Sequence, residues 1–84
     1  MAYEIKLFSR AQKDFDSLPQ NVQVRIYRAL KSLARYSSTM KSIKLLHPPL
    51  EGYRLRAGAY RIIFTVDKST IFIHTIRHRK DAYR

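Results

Sequence analysis

Cysteine is absent from this 84-residue chain, so disulfides and thiolate metal sites are excluded, and nothing points to an oxidising compartment. Glycine is scarce, with two residues, and neither a glycine-rich phosphate loop nor a serine nucleophile elbow occurs. No apolar run is more than a few residues long, against the ~20 that a membrane-spanning helix requires. The opening stretch MAYEIKLFSR places Glu4 and Lys6 inside its apolar run. A secretory leader does not tolerate that pattern, so a cytoplasmic protein with no membrane contact is expected. The histidines His47, His74 and His78 have no carboxylate or thiolate at ligand spacing, so neither a metal nor another cofactor is expected. Glu51, Asp67 and Asp81 fall in turns or in the tail, which leaves no carboxylate pair for acid–base work.

Acidic residues are the other shortage. Six Asp and Glu face seventeen Lys and Arg, a formal net charge of +11. The excess is spread evenly: residues 1–50 carry nine basic and three acidic side chains, and residues 51–84 carry eight and three. This is a basic surface and not a basic tail. Self-repulsion at such a charge works against compactness, and an anionic partner relieves it; a basic surface kept for solubility is the alternative. Nucleic acid fits better than a membrane, because no segment pairs a strong apolar face with a Lys-rich one. Apolar residues make up 45% of the chain, an ordinary share for a globular protein. A chain of this size buries about 60–65% of its unfolded surface around one modest core, and a single domain over residues 1–84 is expected.

Patterning then gives the elements. In AYEIKLF, Tyr3, Ile5 and Leu7 alternate with Glu4 and Lys6, as in a half-buried strand. Ser9 and Gln12 read as a capping box for a short helix with Ala11, Phe15 and Leu18 on one face. Pro19 ends that helix or opens the next. From Gln20 to Tyr36, Val22, Ile26, Ala29, Leu30 and Leu33 form one apolar stripe, and Arg25, Arg28, Lys31 and Arg35 lie opposite. YSSTMKS reads as a loop, and IKLLH as a short strand stopped by Pro48-Pro49. YRLRA, YRIIFTV and STIFIHTIRH follow as strands, with turns at Ala57-Gly58-Ala59 and at Asp67-Lys68-Ser69-Thr70. RKDAYR is expected to make a last turn against the sheet. The order predicts an α+β fold, β-α-α-β-β-β with a further short strand at IKLLH. Two helices pack on one face of a small twisted antiparallel sheet, and the opposite face stays open.

Alternation places Arg54, Arg56 and Arg61 together on that open face. Like charges so close cost stability, and a phosphate held between guanidinium forks offsets the cost; three arginines splayed into water are the alternative reading. The second cluster, His74 to Arg84, gathers two histidines, three arginines, a lysine (Lys80) and a tyrosine. His74, between Phe72 and Ile76, reads as a satisfied structural histidine, whereas His78 reaches the rim at the strand's end. What remains is chemistry by arginine, histidine and tyrosine on a phosphate, and metal-free RNA cleavage needs little more. The substrate brings its own 2′-hydroxyl, and the protein orients it, stabilises the phosphorane and protonates the leaving oxygen.

The element order, the motif YRLRAGAYRIIFTVD and the ending HRKDAYR resemble the RelE/ParE toxin superfamily of type II toxin–antitoxin systems, and its RelE branch in particular. The resemblance covers essentially the whole chain, most specifically from Tyr53 to Tyr83. It implies a toxin that enters the ribosomal A site, cuts mRNA there as a metal-independent endoribonuclease, and so inhibits translation. It implies as partners the ribosome, mRNA and a cognate acidic, RelB-like antitoxin, the toxin being a monomer within a toxin–antitoxin hetero-oligomer. Arg61 matches the arginine that stabilises the transition state, Arg79 the one that protonates the leaving group, and Tyr83 the tyrosine that stacks on an mRNA base. Arg54 and Arg56 fall where relatives carry lysines, one of them implicated in activating the 2′-hydroxyl, and they are assigned to substrate binding with Lys80. Arginine holds its proton too tightly to be a convincing base, so His78 is the candidate for proton transfer. The ParE branch, whose members inhibit DNA gyrase, and a non-catalytic nucleic-acid-binding module remain the competing readings.

Overall fold

The computed structural model describes residues 3–35, 43–45 and 52–82. Eight elements run in the order β1 (Glu4–Leu7), α1 (Ser9–Asp16), α2 (Gln20–Leu33), β2 (Ile43–Leu45), β3 (Tyr53–Ala57), β4 (Tyr60–Asp67), β5 (Thr70–His78) and α3 (Arg79–Ala82). The YSSTMKS loop, His47, Pro48-Pro49, Glu51, Tyr83 and Arg84 lie outside the described residues.

The strands form one five-stranded sheet in the order β1-β5-β4-β3-β2. The strands β2 to β5 are antiparallel neighbours, and tight turns join β3 to β4 and β4 to β5. The first strand departs from the antiparallel expectation: β1 runs parallel to β5, with Glu4 opposite Thr70 and Leu7 opposite Ile73. No short turn specifies that pair, because the two helices and the whole meander separate its strands in sequence. The result is a mixed sheet with α1 against β5 and α2 against β3.

Alternation and helical period meet in one core. Ile26, Leu33, Ile62, Phe64, Ile71 and Ile73 are the largest fully buried side chains, joined by Ala11, Leu30, Leu55, Ala57 and Ile76. Each buried Ile, Leu or Phe contributes about 1.5–3 kcal/mol relative to exposure. Ile71 and Ile73 share a face by ordinary alternation, but Ile76 does not follow from it. A β-bulge supplies the difference: Ile63 pairs with Thr75 while Phe64 pairs with Ile73, leaving His74 as one extra residue on β5. Beyond the bulge the faces exchange, which brings Ile76 inward.

The capping box at Ser9 and Gln12 is not formed. Phe8 is the N-cap, without a side-chain cap, and Ser9 is already helical. Phe8 is held extended because its N–H bonds to Ile73 O at 3.0 Å, while its ring stacks on Phe72 at 5.5 Å. Gln12 instead donates along the helix to Asp16 Oδ1 at 3.0 Å. Pro19 occupies the N-cap of α2, its carbonyl accepting from Val22 and Gln23. Asp14 ties α1 to the sheet by accepting the Ile76 N–H at 3.1 Å, beyond the end of the β1 pairing.

Both hairpins have a positive φ at the first of two central residues, Gly58 at 61° and Lys68 at 56°. Gly52 is more constrained. Its φ is 107°, and a Cβ there would lie 2.6 Å from the Phe64 carbonyl oxygen. Gly52→Ala therefore combines backbone strain of about 1–3 kcal/mol with displacement of β4. A fall in melting temperature of more than about 10 °C is expected, and thermal unfolding followed by circular dichroism checks it; an unchanged midpoint refutes the close approach.

Candidate active site

The hairpin β3–β4 and the start of α3 bound a cleft of about 450 Å³ lined by Arg56, Gly58, Arg61, Arg79 and Lys80. Its floor is set by register. Arg56 lies directly opposite Arg61 across β3 and β4, so both point to the face away from the helices. Its wall is the start of α3, positioned by the bond from Arg79 N–H to Ala59 O at 2.7 Å. The glycine at position 58 keeps the rim low. A Cβ there would come within 2.8 Å of the Arg25 guanidinium, which reaches over the turn from α2.

Among the described residues the cleft lining holds four cations and no carboxylate. Arg61 is 9% exposed, unusually buried for an arginine, which fixes its guanidinium far better than a surface side chain. Such a cavity can bind one or more phosphate oxygens and stabilise charge that develops on them. No group of three or more His, Cys, Asp or Glu among the described residues is placed to hold a metal ion.

Of the residues singled out by the sequence, Arg56, Arg61, Arg79 and Lys80 meet in this cleft. Arg54 sits one pleat further along β3 on the same face, opposite Ile63 and half-buried. Tyr83 lies outside the described residues. His78 does not line the cleft. It pairs with Tyr60 across β4 and β5, their rings meeting edge-on at 5.2 Å, on the face that carries Ile62 and Ile76. Its Nδ1 accepts the Lys80 N–H at 3.2 Å. The bulge is the reason: one residue inserted at His74 turns His78 toward the helix side and Arg77 toward the arginines. Arg77, directly opposite Arg61, is the residue that strict alternation misses; the signal was the burial demand of Ile76, which alternation from Ile71 and Ile73 cannot satisfy.

His74 takes the structural part expected of it. Its Nε2 is 2.8 Å from Thr65 Oγ1, and its ring meets Phe8 edge-on at 4.7 Å. A double-mutant cycle with Thr65→Val and His74→Ala should give a coupling of about 1 kcal/mol in urea unfolding; additive effects would show that this hydrogen bond does not secure the bulge.

With this geometry in place, similarity to known proteins narrows the assignment. A family model described as the ParE toxin of the type II toxin–antitoxin system parDE matches residues 5–83. Toxin RelE3 of Methanocaldococcus jannaschii is 31% identical over 75 residues, covering 84% of each chain. The toxin–antitoxin complex RelBE2 of Mycobacterium tuberculosis contains a chain with a TM-score of 0.81 and 25% identity, over 94% of this chain and 100% of that one. The RelB–RelE antitoxin–toxin complex of Methanococcus jannaschii gives 0.74 and 28%, over 93% and 94%. A protein matched over nearly its whole length by this family, and built on the same fold, belongs to the RelE/ParE superfamily of type II toxin–antitoxin toxins.

Proposed function

We propose that this chain is a ribosome-dependent endoribonuclease of the RelE branch that cuts mRNA in the A site and so arrests translation. The observation that carries the reading is the cleft of about 450 Å³, roomy enough for a phosphate with part of its nucleotide, in which Arg56, Arg61, Arg79 and Lys80 meet at the open sheet face. In the reaction a 2′-oxygen bonds to the adjacent phosphorus, and the P–O5′ bond breaks. The 2′-hydroxyl loses its proton and the departing 5′-oxygen gains one, leaving a 2′,3′-cyclic phosphate and a 5′-hydroxyl. No metal ion enters this scheme. Arg61, held by burial, neutralises the phosphorane oxygens, and Arg79 on the opposing wall serves the leaving oxygen. Arg54, Arg56 and Lys80 hold the strand, and Tyr83 stacks on a base.

His78 acts in this scheme by position. Its Nδ1 holds the Lys80 amide and thereby the turn that carries Arg79. The partner that restrains the toxin in the cell is a small acidic antitoxin; two of the matched structures are toxin–antitoxin complexes, and the net charge of +11 favours fast, salt-sensitive capture of an acidic chain. The matched family model is that of ParE, which favours a second reading, inhibition of DNA gyrase. Induction of the gene separates the two: translation arrest supports RNA cleavage, and DNA damage with continuing translation transfers the assignment to gyrase.

Arg61→Ala and Arg79→Ala should each relieve growth arrest and lower single-turnover cleavage on programmed ribosomes by about a hundredfold or more. Arg61→Lys, which keeps the charge and loses the fork, controls for the buried volume that Arg61→Ala removes. Both alanine variants arresting growth like wild type at equal protein levels would overturn the roles assigned to them.

His78→Asn supplies another acceptor near the Lys80 amide and should retain much more activity than His78→Ala. Equal, deep losses in both, with a changed pH–rate profile, would return His78 to proton transfer.

A further inference from the structure

The two hairpins of the sheet bend alike but differ in what occupies the bend. Each has two central residues, the first with a positive φ, 61° at Gly58 and 56° at Lys68. Lysine adopts that conformation in the β4–β5 turn, so the backbone alone does not demand glycine in the β3–β4 turn. The neighbour of position 58 does. A Cβ there would lie 2.8 Å from Arg25 Nη1, 3.4 Å from its Cδ and 3.7 Å from its Cζ. The outer half of the Arg25 side chain thus occupies the place that a side chain at 58 would take.

Arg25 is an exposed residue of α2. Its neighbours Arg28 and Lys31 line a separate groove with Phe15 and Tyr27, whereas Arg25 is turned onto the hairpin. The stem and planar head of an arginine hold by packing as well as by charge. The base of this side chain is fixed, because Ile26, Leu30 and Leu33 anchor α2 in the core.

The turn that Arg25 covers carries the site. Gly58 lines the cleft, and Ala59 O accepts the Arg79 N–H at 2.7 Å. Arg79 opens α3, a helix of four residues, too short to hold itself in place. A shift of the turn is therefore passed to the Arg79 backbone. The bond from Lys80 N–H to His78 Nδ1 is a second hold, so a loosened turn displaces Arg79 without freeing α3.

We infer that Arg25 is a positioning residue for Arg79: it braces the β3–β4 turn against α2, and position 58 is glycine to admit it. The catalytic consequence rests on the RNA-cleavage reading; the brace itself does not. Arg25 lies outside the cleft lining and touches no reacting atom.

The test compares wild type with Arg25→Ala, Arg25→Lys, Gly58→Asn and the double variant Arg25→Ala/Gly58→Asn. Arg28→Ala, which removes the same charge in the next turn of α2, is the control. Asparagine tolerates a positive φ, so Gly58→Asn chiefly inserts the Cβ that evicts Arg25. Amide hydrogen exchange by NMR on the full chain, without RNA, should show the Arg79 N–H exchanging about tenfold faster in Arg25→Ala and in Gly58→Asn. The double variant should exchange no faster than either single one, because both remove the same contact. Arg28→Ala should leave that exchange unchanged. In single-turnover cleavage on programmed ribosomes, Arg25→Ala should lower the rate at saturation about tenfold. Its half-saturating concentration should stay near that of wild type, and Arg25→Lys should recover part of the rate. Unchanged Arg79 exchange in Arg25→Ala, or additive acceleration in the double variant, overturns the brace. A raised half-saturating concentration at an unchanged saturating rate makes Arg25 a docking cation and overturns its positioning role. The stated exchange pattern in a wild-type chain that does not cleave RNA keeps the brace and removes the RNase assignment instead.

Discussion

One inserted residue organises this molecule. His74 is the extra position on β5 where the pairing to β4 slips by one, and the whole C-terminal half of the strand takes its orientation from it. On the core side the slip lets Ile71, Ile73 and Ile76 all bury, which strict alternation forbids. On the open side it presents Arg77 beside Arg61. The insertion is held by local chemistry: Thr65 bonds the His74 ring, Phe8 meets its edge, and Phe72 stacks on Phe8. Asp14 takes the Ile76 amide on the strand's outer edge, where β1 no longer pairs. A bulge costs ladder bonds and usually persists where it re-aims a side chain; here it re-aims Ile76, Arg77 and His78.

The constraint explains which parts were legible. Element order, both helical stripes and the two hairpin turns could be read from residues 3–33 and 53–78, because period 3.6, period 2 and a turn glycine are local signals. Arg56 and Arg61 could be placed together because a two-residue turn fixes their register. The parallel pairing of β1 with β5 could not, since Glu4 and Thr70 meet through tertiary packing alone. Nor could the face of any residue beyond His74: alternation counts residues, and a bulge changes the count without changing the composition. Ser9 misled for a related reason. Its spacing to Gln12 suits a cap, but the Phe8 amide is committed to Ile73, so the helix begins one residue sooner than a cap at Ser9 would allow.

The proposed RNA cleavage asks a small fold to hold its cations in place without a deep interior. Charge stabilisation is worth most when donors are fixed before the substrate arrives. Arg61 achieves that by burial at 9% exposure on a strand hydrogen-bonded on both sides. Arg79 is exposed, and the bond to the hairpin turn anchors its backbone, which sets where its side chain starts. A loop alone would leave the Arg61 guanidinium to lose rotamer entropy on binding, of the order of 0.5–1.5 kcal/mol.

Fixing cations in this way has an energetic consequence for the free protein. Like charges on directly opposite strand positions repel, and Arg56, Arg61 and Arg77 repeat that arrangement across three strands. Eleven largely buried apolar side chains must offset it in a chain whose net stability is expected to be only several kcal/mol. Repulsion of this kind subtracts from what the core confers. Any bound polyanion, whether an RNA backbone or an acidic protein segment, restores the difference by mass action. On the proposed function, RNA and an acidic antitoxin segment would draw on the same repulsion, so a partner that covers these arginines would compete with the substrate and stabilise the fold in the same act.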